Sequence, residues 1–144
     1  MKALIQRVSH ASVKVDQVSV ASIQQGVLVF LGIEKTDHEA ASTRLLHKVL
    51  NFRIFPDEQG HMNLNLREAA GELLIVSQFT LAANTDKGLR PSFSSAMQPP
   101  EASRLYEHFI TQAEGYCKVS SGVFGAHMQV ELCNDGPVTF LLSA

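Results

Sequence analysis

The chain has 144 residues, 45% of them hydrophobic and 18% charged, the size and balance of one globular domain with a real core. With 12 Lys+Arg against 14 Asp+Glu the formal net charge is −2, which leaves no broad basic surface for gripping long nucleic acid, so no DNA partner is expected. The longest apolar run, Gly26 to Ile33, is too short to cross a bilayer, and Gln6 and Arg7 interrupt the region a secretory signal would keep apolar; a cytoplasmic chain with no membrane partner is expected.

The opening segment alternates apolar and polar positions, as at Val13 and Val15 around Lys14, and predicts half-buried strands joined by short turns. GVLVFLGI, Gly26 to Ile33, is a continuous apolar run rich in branched residues, the pattern of a central strand covered on both faces. Thr36 and Glu39 match a capping box, so a helix is predicted to start there. Leu45, Leu46, Val49 and Leu50 supply its apolar stripe, Arg44, His47 and Lys48 its outer face, and the end falls near Asn51.

FRIFPDEQGHMNLNL predicts a strand, a turn and a short returning strand. Glu72 to Leu81 is a second strongly apolar strand, followed by the long polar loop AANTDKGLRPSFSSAMQPP. Pro99-Pro100-Glu101 opens a second helix with Leu105, Phe109 and Ile110 on its apolar side and Gly115 near its stop. AHMQVELCN and VTFLLSA then predict two strands about an NDGP turn, where Asp135-Gly136 is a hairpin signal but Pro137 cannot donate to a neighbouring strand. Strands outnumber helices and no βαβ alternation repeats. The expected class is α+β, a single domain over residues 1–144 with a mostly antiparallel or mixed, barrel-like sheet and two main helices.

The common catalytic signatures are absent. Cys117 and Cys133 form no metal-ligand spacing and are expected to be reduced, partly buried thiols. The six histidines, His10, His38, His47, His61, His108 and His127, form no metal-binding pattern, and no nucleophile elbow, phosphate loop or dinucleotide fingerprint occurs. Neither a metal nor a cofactor is expected. Two short pieces remain. At Ser77 to Thr80 a buried strand turns abruptly polar; hydroxyls, an amide and free backbone N–H groups could there converge on an oxyanion, or the strand simply becomes polar as it leaves the core. Thr80 has no His, Lys or amino terminus nearby in sequence to activate it as a nucleophile. NDGP, on its residues alone, is turn chemistry.

With both pieces in order, the chain resembles the D-aminoacyl-tRNA deacylases of the widespread bacterial and eukaryotic type. The likeness runs from MKALIQRVSHASVKV through GVLVFLGIEKTD, NFRIFPDEQGHMNLNL, LLIVSQFTLAA, KGLRPSF and FGAHMQVELCNDGPVTF to the end, with SQFTL and NDGPVTF as the two signature motifs. The resemblance implies hydrolysis of D-aminoacyl-tRNA, and of glycyl-tRNA, by a homodimer in which the Gly136-Pro137 element, a cis peptide, enters the partner's site. Gly136 and Pro137 would hold the α-amino group, and Arg7 would fix their loop. Phe79 and Thr80 would offer backbone N–H groups to the oxyanion, and Ser77 and Gln78 would orient the terminal ribose. Phe124 and Met128 would pack against the terminal adenine. Lys87, Arg90 and Lys118 are candidate phosphate contacts, and His127 has no role that the resemblance assigns. Two other readings stand beside it: a non-catalytic module that binds the tRNA end, and a Thr80-dependent esterase for free D-amino acid esters.

Overall fold

The first strand organises the sheet. In the computed structural model, which describes residues 1–86 and 88–144, β1 (Lys2–Val15) pairs antiparallel along one edge with the last strand, β8 (Gln129–Ser143), from end to end. Its other edge serves two partners in turn. Residues 2–8 pair with β3 (Gly26–Gly32) and residues 11–15 with β2 (Val18–Ile23), both antiparallel. Asp16 and Gln17 make the β1–β2 turn with φ of 48° and 66°, the left-handed region that a two-residue hairpin requires.

Parallel pairing completes the sheet. β6 (Glu72–Ser77) lies beside β3, and β7 (Val119–Ser121) beside β6. The connections carry α1 (Glu39–Asn51) and α2 (Pro99–Glu114), so the chain contains two parallel crossovers where the sequence shows no βαβ alternation. The small hairpin of β4 (Phe55–Pro56) and β5 (Met62–Leu64), and the long segment before α2, separate strand from helix and mask the pattern. Ser120 Oγ of β7 reaches the Ser22 carbonyl of β2 at 3.4 Å, so the mixed sheet nearly closes on itself. The α+β class, one compact domain with two helices on a barrel-like sheet, is what the sequence predicts.

The central strands are buried on both faces. Val27, Val29, Leu73 and Ile75 pack under the helices against Leu45, Leu105 and Phe109. Leu28, Leu74 and Val76 point the other way, into the curl of the sheet with Val8, Val13 and Ile23. The two helices run side by side in the same direction, tied by Glu39 to Arg104, His108 Nδ1 to Ser42 Oγ at 3.3 Å, and Thr43 Oγ1 to Gln112 Oε1 at 3.0 Å. This differs from the expected capping box. α1 begins at Glu39 with His38 as its N-cap and no side-chain cap bond, because Glu39 turns outward to Arg104, while Asp37 accepts the Glu34 N–H at 2.6 Å in the turn before it. Cys117 is half-buried and free, whereas Cys133 is exposed rather than partly buried.

NDGP is not a hairpin turn. The residues on both sides of it belong to β8 and pair in the same direction with β1: Val8 stands opposite Asn134 and Gln6 opposite Thr139. Asp135 to Val138 are therefore opposed by Arg7 alone, and the surplus is expelled as a bulge. A hairpin is impossible here because β1 is long enough to template both halves.

Candidate active site

β6 stops at Ser77 rather than continuing to Leu81. Gln78 makes the last sheet hydrogen bond, its N–H donating to the Leu31 carbonyl at 2.8 Å, and the chain then tightens into a 3-10 turn over Phe79–Ala82. N–H groups at the start of such a turn have no acceptor within it. Those of Phe79 and Thr80 occupy that place, just past the end of β6. The Gln78 Nε2 donates to Thr80 Oγ1 at 2.6 Å, which holds the two side chains together on the surface.

Ser77, Gln78 and Phe79 line a cavity of about 460 Å³, and Phe124 and Met128 line it too. The sequence-predicted residues of both segments thus converge. Thr80 is exposed beside the cavity rather than lining it. The opposite wall comes from a stretch the sequence left unassigned: Phe93, Ala96, Met97 and Gln98, with Pro99 at the start of α2. The Phe79 and Phe93 rings meet at 4.9 Å at the cavity, both substantially exposed. Phe93 lies in the KGLRPSF segment, so the signal was present, but nothing local says that this loop folds back onto β6. It is held there by the segment after β3, through backbone bonds from Lys35 N–H to Ser95 O at 3.0 Å and Met97 N–H to Ile33 O at 3.1 Å, and by the turn after β6, where the Ser95 hydroxyl donates to the Ala82 carbonyl.

Tyr106 braces the floor of this cavity. Its hydroxyl lies 2.8 Å from the Ile75 carbonyl and 3.2 Å from that of Gly122, so α2 ties the end of β6 to the segment that carries Phe124. Its ring packs 5.7 Å from that of Phe124. Burial pushes the phenol far above its ordinary pKa, which keeps it a neutral donor. Gly125, at φ 74°, occupies the left-handed position of the turn closed by Ala126 N–H to Val123 O at 3.2 Å.

The bulge is built separately. Arg7, whose side chain is only 12% exposed, donates from Nε to the Asp135 carbonyl at 2.8 Å and from an Nη to the Ile54 carbonyl at 2.6 Å, with the Asp135 carboxylate 3.4 Å away. Asn134 spans the bulge from inside: its Oδ1 accepts the Val138 N–H at 2.7 Å and its Nδ2 donates to Thr139 Oγ1 at 2.9 Å. This role for Asn134 was not foreseen, although asparagine bonding to nearby backbone is the usual reason for its presence in such segments. The Gly136-Pro137 peptide is cis, Gly136 has φ 148°, and both residues are exposed. A Cβ at Gly136 would lie 2.5 Å from Val138 Cγ2, so only glycine fits.

Arg7, Gly136 and Pro137 do not line the cavity of their own chain. Lys118 is paired with Glu72 at 2.6 Å, a bond that holds the Glu72 carboxyl below its usual range, and neither Lys118 nor Arg90 lines the cavity. Lys87 lies outside the described residues. Among the described residues no helix is long and apolar enough to cross a membrane.

Residues 4–143 match the family of D-Tyr-tRNA(Tyr) deacylases. A D-aminoacyl-tRNA deacylase of Pseudoalteromonas translucida is 60% identical over 144 residues, covering 99% of each chain. A solved structure named c-Myc DNA Unwinding Element Binding Protein superposes with a TM-score of 0.96 at 39% identity, covering 100% of this chain and 99% of that one. A eukaryotic protein described as a probable D-amino acid tRNA deacylase shares the fold, with a TM-score of 0.83 at 19% identity over 99% of this chain and 98% of its own. The chain belongs to the D-Tyr-tRNA(Tyr) deacylase family.

Proposed function

We propose that the protein hydrolyses the ester of D-aminoacyl-tRNA as a homodimer, each cavity being completed by the Gly136-Pro137 bulge of the other subunit. The observation that carries this reading is the separation of two built parts. Among the described residues the cavity edged by SQFT has no carboxylate to hold an ammonium, and the rigidly gripped, exposed bulge carries Gly136 and Pro137 carbonyls that accept no hydrogen bond from their own chain. β8, exposed along much of its length, is the strand that would carry the bulge to a second copy.

In the completed site the terminal adenine packs between Phe124 and Met128, and Ser77 and Gln78 orient its ribose. Carbonyls of Gly136 and Pro137 accept from the α-ammonium. The ester carbonyl points at the N–H groups of Phe79 and Thr80. Water attacks the carbonyl carbon, assisted by the neighbouring 2′-hydroxyl of the substrate. The negative charge that forms on the carbonyl oxygen meets the N–H donors; the bond to the ribose 3′-oxygen then breaks, that oxygen takes a proton, and free amino acid and tRNA leave.

Chirality follows from two fixed points. With ammonium and carbonyl both held, a D side chain projects to open space while an L side chain meets the protein wall, and each tenfold of rejection corresponds to about 1.4 kcal/mol of clash. Glycine has nothing to clash, so glycyl-tRNA is a substrate too. A Thr80 nucleophile is not favoured, since the contact at its hydroxyl is an amide donor, not a base.

The net charge of −2 suits an acceptor end rather than a long duplex, so tRNA, and not DNA, is the partner, met in the cytoplasm where tRNA is used. Sedimentation of wild type and of a variant with charges placed on the outer edge of β8 tests the assembly. Activity should sediment with the dimer and vanish in the variant; an active monomer overturns the shared site.

A further inference from the structure

Of the described residues lining the cavity, His127 alone carries an ionisable side chain; the other polar ones, Ser77, Gln78 and Gln98, are neutral. It is exposed, and it stands between the Val123–Ala126 turn that carries Phe124 and the start of β8 just beyond Met128. Among the described residues the imidazoles engaged in hydrogen bonds are those of His10 and His108. The His127 ring is left open at the cavity.

A nucleoside held between Phe124 and Met128 brings its own anion. Its 5′ side continues as a phosphodiester to the preceding nucleotide, and His127, set in the chain between the two packing residues and exposed at the cavity, is the one ionisable lining side chain there to meet it. We infer that His127 contacts this phosphodiester and sets the affinity for the polynucleotide part of the substrate, taking no part in ester cleavage. The inference rests on the reading of the cavity as the acceptor-end site. An imidazole can donate to a phosphate oxygen in either protonation state and adds a charge when protonated.

The test compares two substrates, D-Tyr-tRNA and D-tyrosyl-adenosine, the second having the same ester and base but no phosphate. His127→Gln and His127→Lys, at an exposed position, should melt as the wild type does. On D-Tyr-tRNA, His127→Gln should raise KM about threefold to tenfold with kcat unchanged, and His127→Lys should restore it. The slope of log kcat/KM against log salt should be flatter by about 0.7 in His127→Gln than in His127→Lys, the difference of one neutralised phosphate on a single strand. On D-tyrosyl-adenosine both variants should match the wild type. Equal loss on both substrates, or no loss on D-Tyr-tRNA, overturns the phosphate contact while leaving the reading of the cavity intact. Failure of the wild type to cleave either substrate overturns that reading, and the contact with it.

Discussion

Arg7 donates from Nε to the backbone carbonyl of Asp135 across 2.8 Å, and so binds the bulge to the one residue of β1 that stands opposite it. The guanidinium also holds the Ile54 carbonyl, so one side chain joins three segments of chain. Arg7→Lys keeps the charge but not the fork, and cannot serve both carbonyls in this geometry. Its D-ester kcat/KM should fall at least about tenfold while the melting temperature drops by only a few degrees, as about 1–2 kcal/mol of lost hydrogen bonding requires. Stopped-flow or filter-based deacylation beside a thermal melt would separate the two effects; unchanged turnover would remove Arg7 from the site.

Gly136 is held at φ 148°, and an added Cβ would lie 2.5 Å from Val138 Cγ2 and 2.9 Å from the Val138 nitrogen. Gly136→Ala must therefore shift the bulge. Strain of about 1–3 kcal/mol is expected locally. The sheet ladder on both sides, Gln6 with Thr139 and Val8 with Asn134, should persist. D-ester hydrolysis should be lost in a protein that remains folded by circular dichroism. Full activity would mean that the bulge does not touch substrate.

Thr80 accepts from Gln78 Nε2 and has a free backbone N–H in the proposed scheme. Thr80→Ala keeps that N–H, so the rate should fall by less than about tenfold. A collapse by several orders of magnitude, or a trapped acyl-enzyme in mass spectrometry, would instead identify the hydroxyl as a nucleophile.

Tyr106 ties Ile75 and Gly122 through one hydroxyl. Tyr106→Phe removes the one proton shared between these carbonyls, of which Ile75 keeps the Gly122 N–H at 2.9 Å, and should cost about 0.5–1.5 kcal/mol, read as a lower midpoint in urea. Because burial raises the phenol's folded pKa, its contribution to stability is complete below the unfolded value of about 10 and is lost as pH rises from there towards the folded value. In a Tyr116→Phe protein, where Tyr106 is the one remaining phenol, ultraviolet titration should show ionisation only as the protein unfolds. Ionisation of that phenol in the folded protein would contradict this burial.

Much of the fold was legible where one principle dominated. The apolar run at Gly26 to Gly32 is a strand buried on both faces, and Pro99 and Gly115 bracket the second helix. Failures came where partners distant in sequence decide the outcome. Thr36 and Glu39 have the spacing of a capping box, but Arg104, 65 residues beyond Glu39, draws that carboxylate away. Asp135-Gly136 has hairpin chemistry, yet β1 templates both flanks and converts the turn into a bulge. The site divides in the same way. SQFT, Phe124 and Met128 announced themselves through motif and resemblance, whereas Phe93, Met97 and Asn134 matter only because the loop folds back and the strand bulges.

D-Tyr-tRNA and L-Tyr-tRNA, incubated side by side with the protein, with and without a chelator, bear directly on chirality selected by a bulge and ester cleavage carried out by backbone donors and water. Rapid, chelator-insensitive loss of the D-ester alone is the expected result. Cleavage of both esters would contradict selection by Gly136 and Pro137, and survival of both would make the cavity a binding site for the tRNA end without catalysis.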